Sequence, residues 1–73
     1  MDWSGCDIVE VIPGKVSGVP LIRNTRVPAD TVLESAELGE TPKEIAFNYD
    51  LQVEDVCALL EYATRHLAAA SVL

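Results

Sequence analysis

The stretch TPKEIAFNYDLQVEDVCALLEYA, residues 41–63, decides the fold because it predicts two helices joined by a tight turn. Thr41 suits an N-cap and Pro42 the first helical position. Glu44 lies three residues after Thr41, where its side chain completes a capping box. These residues predict a helix that begins at Pro42 and ends near Tyr49.

The spacing of the same stretch is typical of a helix-turn-helix unit. Such a unit needs a small residue where the helices cross, a turn residue that tolerates left-handed backbone, and an aliphatic core residue in the second helix. Ala46, Asp50 and Val56 meet these needs in order, and the second helix is predicted to begin near Val53. A plain three-helix core has the same packing needs, so the spacing predicts the fold more firmly than a DNA-binding function.

Shorter elements are predicted upstream of this unit. The run IVEVI, residues 8–12, is β-branched except at Glu10 and predicts a strand with Glu10 facing water. Leu21–Ile22 predicts a second extended piece. Pro28 and Gly39 bracket another helix, with the proline at its first position and the glycine at its end.

These elements predict a mainly α fold, a three-helix helix-turn-helix bundle preceded by short β-strands. Residues 1–7 show no periodic pattern and are expected to be a flexible N-terminal arm, while residues 8–73 form a single domain. A chain of 73 residues with 49% apolar residues is small for that apolar content. We therefore expect a homo-oligomer, most simply a homodimer, in which a second subunit covers part of the apolar surface.

Charge and cysteine content limit the classes of function that the chain can have. The chain has 12 acidic and 5 basic residues and a net charge of -7, so its non-specific attraction to nucleic acid is expected to be weak. Its two cysteines form no CxxC or Cys/His cluster, so neither a metal nor a cofactor is expected. No secretory signal and no long apolar run are present, which predicts a cytoplasmic protein without a membrane partner.

The candidate binding residues upstream of the helices form one group, which we call the basic loop: Lys15, Arg23, Asn24, Thr25 and Arg26. Asn24 is expected at the apex of a turn with a positive φ, and Thr25 is expected to bond to the nearby backbone. One interpretation is that Arg23 and Arg26 bind phosphates or the carboxylates of a partner. The alternative is that they pair with acidic residues of the following helices.

The second helix of the helix-turn-helix carries acids where a DNA-reading helix would carry bases. We call the predicted solvent-facing side at the N-terminal end of this helix the outer face. It consists of Gln52, Glu54, Asp55, Ala58 and Glu61. Glutamine can read adenine and a carboxylate can accept from cytosine, but three acids without a base do not attract phosphate. The outer face is therefore better suited to a protein partner than to DNA.

No residue grouping predicts an enzyme, and no catalytic residue is assigned. Cys57 and His66 would lie about two and a half turns apart on one helix, too far for proton transfer. Cys57 is expected to be a small buried side chain. The uncharged tail AAASVL, residues 68–73, is more typical of a packing or dimer surface than of a catalytic segment.

Residues 18–63 contain RNTRVP, TPKEIA and LQVEDVCALLEYA in that order. This combination resembles a short bacterial family called domain of unknown function 433, whose pattern joins G-K-P-x-I-R-G-T-R-I-P, S/T-P-E-E-I and L-T-x-E-D-V-x-A-A-L-x-Y-A. The resemblance covers about residues 9–63. It implies a homeodomain-like helix-turn-helix fold and an antitoxin role beside a PIN-like toxin in a type II toxin-antitoxin pair.

Within this resemblance, the family's Arg-Gly-Thr-Arg corresponds to residues 23–26. Asn24 stands where the family has glycine, Val19 where it often has lysine, and Gln52 where it has a threonine cap. The missing lysine removes one base from the loop, which weakens the expectation of nucleic-acid binding.

The favoured hypothesis is a non-enzymatic, dimeric, antitoxin-like module. Its acidic helices or apolar tail would bind a PIN-like toxin, with Arg23 and Arg26 as candidates for contacting operator DNA. The alternatives are a DNA-binding transcriptional regulator without a toxin, and a purely structural oligomerisation domain.

Overall fold

A computed structural model describes the backbone of residues 1–71 and the side chains of residues 1–66. In chain order the elements are β1 (Val9–Glu10), a short 3-10 helix (Val16–Gly18), β2 (Leu21–Ile22), α1 (Ala29–Glu37), α2 (Pro42–Tyr49) and α3 (Val53–Ser71). The prediction of a mainly α, three-helix fold preceded by short strands is confirmed. The tail at residues 68–73, expected to be a packing or dimer surface, lies outside the described side chains. Among the described residues, no helix is both long and apolar enough to cross a membrane.

The two strands pair antiparallel, with Val9 opposite Ile22 and Glu10 opposite Leu21. β1 is shorter than the predicted strand at residues 8–12, whereas β2 coincides with the predicted extended piece. Leu21 also bridges to Pro28, so β2 lies between β1 and the segment that leads into α1. Leu21 and Ile22 are both fully buried, which makes β2 the part of the sheet that enters the core.

α1 begins one residue later than predicted. Pro28 keeps an extended ψ of 137° and precedes the helix, and its carbonyl accepts the N–H of Thr31 at 3.1 Å. Gly39 follows the helix with a φ of 99°, a left-handed conformation in which a side chain would be strained. The proline and glycine signals therefore mark the two ends of α1 to within one residue.

The capping residues of α2 behave as predicted. The Thr41 Oγ1 accepts the N–H of Glu44 at 3.2 Å, and the Glu44 Oε1 accepts the N–H of Thr41 at 2.9 Å. Asp50 has a φ of 56°, and its N–H and that of Leu51 both donate to the Ala46 carbonyl. The turn between α2 and α3 thus has the left-handed residue that the helix-turn-helix spacing predicts at Asp50.

The core lies where the three helices meet β2. Its fully buried aliphatic side chains come from all four elements, and each contributes about 1.5–3 kcal/mol through removal from water; they are Leu21, Ile22, Val32, Ile45, Val56 and Leu59. One buried polar residue, Ser35 of α1, places its hydroxyl 3.3 Å from the Tyr49 hydroxyl of α2. This contact supplies a hydrogen-bond partner to a polar group that would otherwise cost free energy when buried.

The structure differs from the expected flexible arm at residues 1–7. Trp3 is only 4% exposed and Cys6 is 8% exposed, and both belong to the core cluster. The Trp3 Nε1 donates to the Asp30 Oδ1 at 2.8 Å, which ties the segment to α1. The expectation was wrong because a single tryptophan shows no periodicity, yet its large side chain buries enough apolar area to hold a short segment in place.

Tyr62 of α3 forms the second attachment of this segment. Its ring stacks on Trp3 with centroids 5.8 Å apart and on His66 with centroids 4.0 Å apart. Its hydroxyl donates to the Asp2 carbonyl and accepts the Gly5 N–H, both at 3.2 Å. A Cβ at position 5 would lie 3.2 Å from the same hydroxyl, so glycine allows the close approach. Residues 1–7 therefore pack across α1 and α3 as part of the domain.

Candidate functional site

Residues 23–26 of the basic loop form a closed turn that follows β2. The Ile22 N–H donates to the Val27 carbonyl at 2.9 Å, and the Thr25 N–H donates to the Ile22 carbonyl at 3.1 Å. Asn24 has a φ of 62°, as the sequence predicts for the apex. The Thr25 hydroxyl donates to the Ile22 carbonyl at 2.8 Å and accepts the Val27 N–H at 3.1 Å. The loop is thus fixed by its own backbone and by one threonine side chain.

Glu10 of β1 holds this loop against the sheet, a role that the sequence did not reveal. Its Oε2 accepts the Asn24 N–H at 3.2 Å and lies 3.8 Å from the Lys15 Nζ. Glu10 was expected to face water, but the antiparallel pairing of β1 with β2 places it beside the turn. The same carboxylate compensates the charge of Lys15. Lys15 therefore lies close to Asn24, but its positive charge is already paired with Glu10.

Arg23 and Arg26 remain as the exposed cations of the basic loop. The Arg23 N–H donates to the Ile8 carbonyl at 2.8 Å, and its guanidinium donates to the Asp7 carbonyl at 3.3 Å. Among the described side chains, neither arginine lies within ion-pair distance of a carboxylate. The expectation that they pair with acidic residues of the helices is therefore wrong for the described part of the chain.

The outer face of α3 is exposed at Gln52, Glu54, Ala58 and Glu61, whereas Asp55 is half-buried. Each residue turns a helix by about 100°, which places Asp55 toward the core side of the face.

Cys57 was not assigned to the outer face, but it lies beside it on α3 and is exposed, so the prediction of a buried thiol is wrong. Its neighbour Val56 is fully buried, and the next residue along the helix rotates out of the core. The helical rotation also brings Cys57 between Glu54 and Glu61. The exposed residues at the middle of the outer face are therefore small, with a carboxylate on either side.

A shallow groove adjoins the outer face. It has a volume of about 160 Å³ and lies between α3 and the N-terminal segment. It is lined by Gly5, Cys6, Asp7, Ile8, Ala58, Tyr62 and Arg65.

This groove connects the two candidate regions. Asp7 lines it, and the same residue's carbonyl accepts a hydrogen bond from the Arg23 guanidinium. On its other side Arg65 lies 3.9 Å from the Glu61 carboxylate, an exposed pair one helical turn apart that contributes little stability. The basic loop and the outer face are therefore neighbours across the N-terminal segment, which the sequence pattern could not indicate.

Two exposed apolar side chains on the helices escaped the sequence analysis. Phe47 of α2 is 87% exposed and Leu38, just after α1, is 86% exposed. Ile45 and Ala46 fill the core side of α2, and the helical rotation carries Phe47 to the opposite side. Its position directly after the core residues Ile45 and Ala46, where the helical rotation leaves the core, was the available signal for an exposed aromatic side chain.

A second group of exposed apolar residues lies near the strands, and we call it the N-terminal apolar surface: Met1, Val11, Ile12 and Val19. The groove of about 370 Å³ adjoins it and is lined by Met1, Asp2, Trp3, Ser4, Val9, Val11 and Pro20. Apolar side chains thus remain exposed on both the helical and the strand side of the domain.

Two carboxyl groups have a lowered pKa, and both stabilise local structure outside the basic loop and the outer face. The backbone N–H of Thr41 lowers the pKa of Glu44, and the backbone N–H of Ser4 lowers the pKa of Asp2. Within the described residues, no group of three His, Cys, Asp or Glu side chains is arranged to hold a metal ion.

The fold and these surfaces define a small helix-turn-helix domain with exposed polar and apolar side chains. The chain belongs to the DUF433 family: the model of that family, described as a protein of unknown function, matches residues 9–63.

A solved structure is similar over most of the chain. It is the crystal structure of a DUF433 member protein from Anabaena variabilis, with a TM-score of 0.67 and 31% sequence identity. The alignment covers 86% of this chain but only 63% of that protein's chain. No curated protein matches the sequence.

Proposed function

We propose that this chain is a non-enzymatic, antitoxin-like module that binds a basic partner protein, a PIN-like toxin, through the outer face of α3. The observation that carries the proposal is the exposure of Glu54 and Glu61 on either side of the small residues Cys57 and Ala58. A flat helical face bordered by carboxylates suits a partner that presents arginine or lysine side chains.

Charge favours a protein partner over DNA at this face. The net charge of -7 repels phosphate, and the outer face itself adds acids where a recognition helix would need bases. A toxin that acts on nucleic acid needs a positive surface, and an acidic partner would cover that surface while steering the association.

Phe47 supports a contact surface that extends to α2. Exposed aromatic residues often supply a large part of the binding free energy in protein interfaces. At 87% exposure, Phe47 has nearly its whole side chain to bury against a partner. Because Phe47 lies on a different helix, the variant Phe47→Ala tests its participation separately from that of α3.

The proposal is tested by co-expressing the chain with the product of its neighbouring gene and measuring the affinity of the purified pair. The double variant Glu54→Lys plus Glu61→Lys is expected to weaken binding at least tenfold, as loss of a favourable charge contact requires. The matched control, Glu34→Lys plus Glu37→Lys, makes the same charge change on α1 and should bind normally. Absence of a complex and of any rescue from growth inhibition would remove the proposal.

A second candidate function, binding to operator DNA, is favoured by one observation. Arg23 and Arg26 are exposed and have no carboxylate within ion-pair distance among the described side chains. Such guanidinium groups can bind phosphate. Under this function the chain would regulate transcription, either with a toxin or without one.

DNA binding is tested by fluorescence anisotropy with duplex DNA at several salt concentrations. The expected affinity is weak and falls with salt, with a slope of log K against log salt of about -0.9 for each phosphate contacted. Arg23→Ala plus Arg26→Ala should abolish it, whereas Lys15→Ala should change it less because Glu10 already compensates Lys15. If neither DNA nor a partner protein binds, the remaining alternative is a structural oligomerisation domain.

A further inference from the structure

We propose that the free edge of β1 and the N-terminal apolar surface form a two-fold interface between two copies of this chain. The occupant is a second copy, and the surface lies apart from the outer face assigned to a partner protein. The proposal therefore assigns a function to a part of the molecule that toxin binding does not use.

The backbone of β1 offers unpaired groups on the side away from β2. The Arg23 N–H donates to the Ile8 carbonyl, so the backbone groups of Ile8 face β2. Backbone direction alternates along an antiparallel strand, and in this register the backbone groups of Glu10 face β2 as well. The backbone groups of Val9 and Val11 therefore point to the other edge. Among the described hydrogen bonds at that edge, the Val9 N–H is taken by the Cys6 carbonyl at 3.1 Å. The Val9 carbonyl and the Val11 N–H and carbonyl are left for an added strand.

The side chains next to this edge are apolar and accessible. Val11 is 58% exposed, Ile12 is 39% exposed and Val19 is 37% exposed. Val11 also lines the adjoining groove together with Val9 and Pro20. An added strand would bury these side chains while its backbone completes the hydrogen bonds of β1.

The charge of this region suits a second copy better than a partner of opposite charge. Two chains of net charge -7 repel each other, so they associate most readily through a surface with little charge. The sequence from Val11 to Pro20 has one charged residue, Lys15, and Glu10 compensates it. Asp2 is the acid that lines the adjoining groove. This surface thus has far less net charge than the helices.

Antiparallel strand pairing is self-complementary, which is the second reason for choosing a second copy. A strand edge related to itself by a two-fold axis meets an identical edge in antiparallel orientation, as a symmetric dimer requires. The pairing would join two sheets into one and leave residues 23–26 of the basic loop, which follow β2, outside the interface.

The oligomeric state of the full chain tests this proposal by sedimentation velocity over a range of concentrations. Because the apolar surface is small, we expect a reversible dimer with a Kd on the order of 10 µM. Val11→Asp plus Val19→Asp should raise the Kd at least tenfold. Leu38→Asp plus Phe47→Asp, which places the same charges on exposed apolar sites of the helices, should leave it unchanged.

A cross-linking experiment keeps the proposal testable if the aspartate variants fail to fold. In a Cys57→Ser background, Val11→Cys should form a disulfide-linked dimer on mild oxidation, and Leu38→Cys should not. A wild-type chain that stays monomeric up to millimolar concentration overturns the proposal, as does a dimer that persists in Val11→Asp plus Val19→Asp. Toxin binding by a monomeric variant would leave the proposed function standing while the interface is judged on its own results.

Discussion

Replacement of Trp3 by alanine tests whether the N-terminal segment is an integral part of the domain. The side chain is 4% exposed, its ring stacks on Tyr62, and its Nε1 donates to Asp30 at 2.8 Å. The variant removes the ring from the core and leaves the Asp30 carboxylate and the Tyr62 ring without these contacts. We therefore expect a large loss of stability from a residue that the sequence pattern placed in a flexible arm.

The expected magnitude follows from the burial of the side chain. Trp→Ala changes in cores cost about 3–5 kcal/mol. A domain of this length has a total stability of about 4–11 kcal/mol at typical values per residue. The loss is thus a substantial fraction of the total, and it should lower the melting temperature by more than about 10 °C.

Urea denaturation followed by circular dichroism measures the effect, since Trp3 is the single tryptophan and its fluorescence is lost in the variant. The matched control Trp3→Phe retains an aromatic ring against Tyr62 but loses the hydrogen bond to Asp30, so its cost should be clearly smaller. A Trp3→Ala variant within about 0.5 kcal/mol of the wild type, the usual range for surface substitutions, would refute the packing described here.

The remaining predictions concern the capping box, the basic loop and the outer face. Because the pKa of Glu44 is lowered from 4.5 in the folded chain, its stabilising effect is present above that value and is lost as pH falls through the folded pKa. The stability difference between wild type and Glu44→Gln in urea titrations should therefore shrink as the pH falls below that value, and a difference that stays constant far into the acid range would contradict the assignment. Glu10→Ala should speed hydrogen exchange of the Asn24 amide roughly tenfold, and unchanged exchange would show that Glu10 does not hold the loop. In the native chain, Cys57 should react rapidly with a thiol reagent and Cys6 only on unfolding; equal rates would contradict their different exposure.

Local signals account for the parts of the fold that the sequence predicted well. Asn24, Gly39 and Asp50 all have the positive φ expected of them, and Thr41 with Glu44 forms the expected capping box. Each of these features depends on residues a few positions apart, whose conformational preferences act without help from the rest of the chain.

Contacts between distant residues account for what the sequence did not predict. Trp3 meets Asp30 and Tyr62, which lie 27 and 59 positions away in the chain. The sequence supplied an aromatic residue but no period that indicated where its ring would be buried.

In the candidate site, too, features set by neighbouring residues were predicted, and features set by contacts between distant residues were not. The residues of the basic loop were identified from their types and turn chemistry, but the Glu10 contact that compensates Lys15 depends on the pairing of β1 with β2. Cys57 was misplaced because cysteine is often buried, whereas its position one residue after Val56 on a helix puts it outside. Applying the helical period to the whole of α3 would have placed it correctly.

The affinity between this chain and the purified product of its neighbouring gene, measured by isothermal titration calorimetry, tests the central claim most directly. The proposed function predicts a defined complex that Glu54→Lys plus Glu61→Lys weakens at least tenfold and that Glu34→Lys plus Glu37→Lys leaves intact. Equal binding by both double variants, or no heat of binding for the wild type, would contradict the assignment of the outer face of α3 as the partner-binding surface.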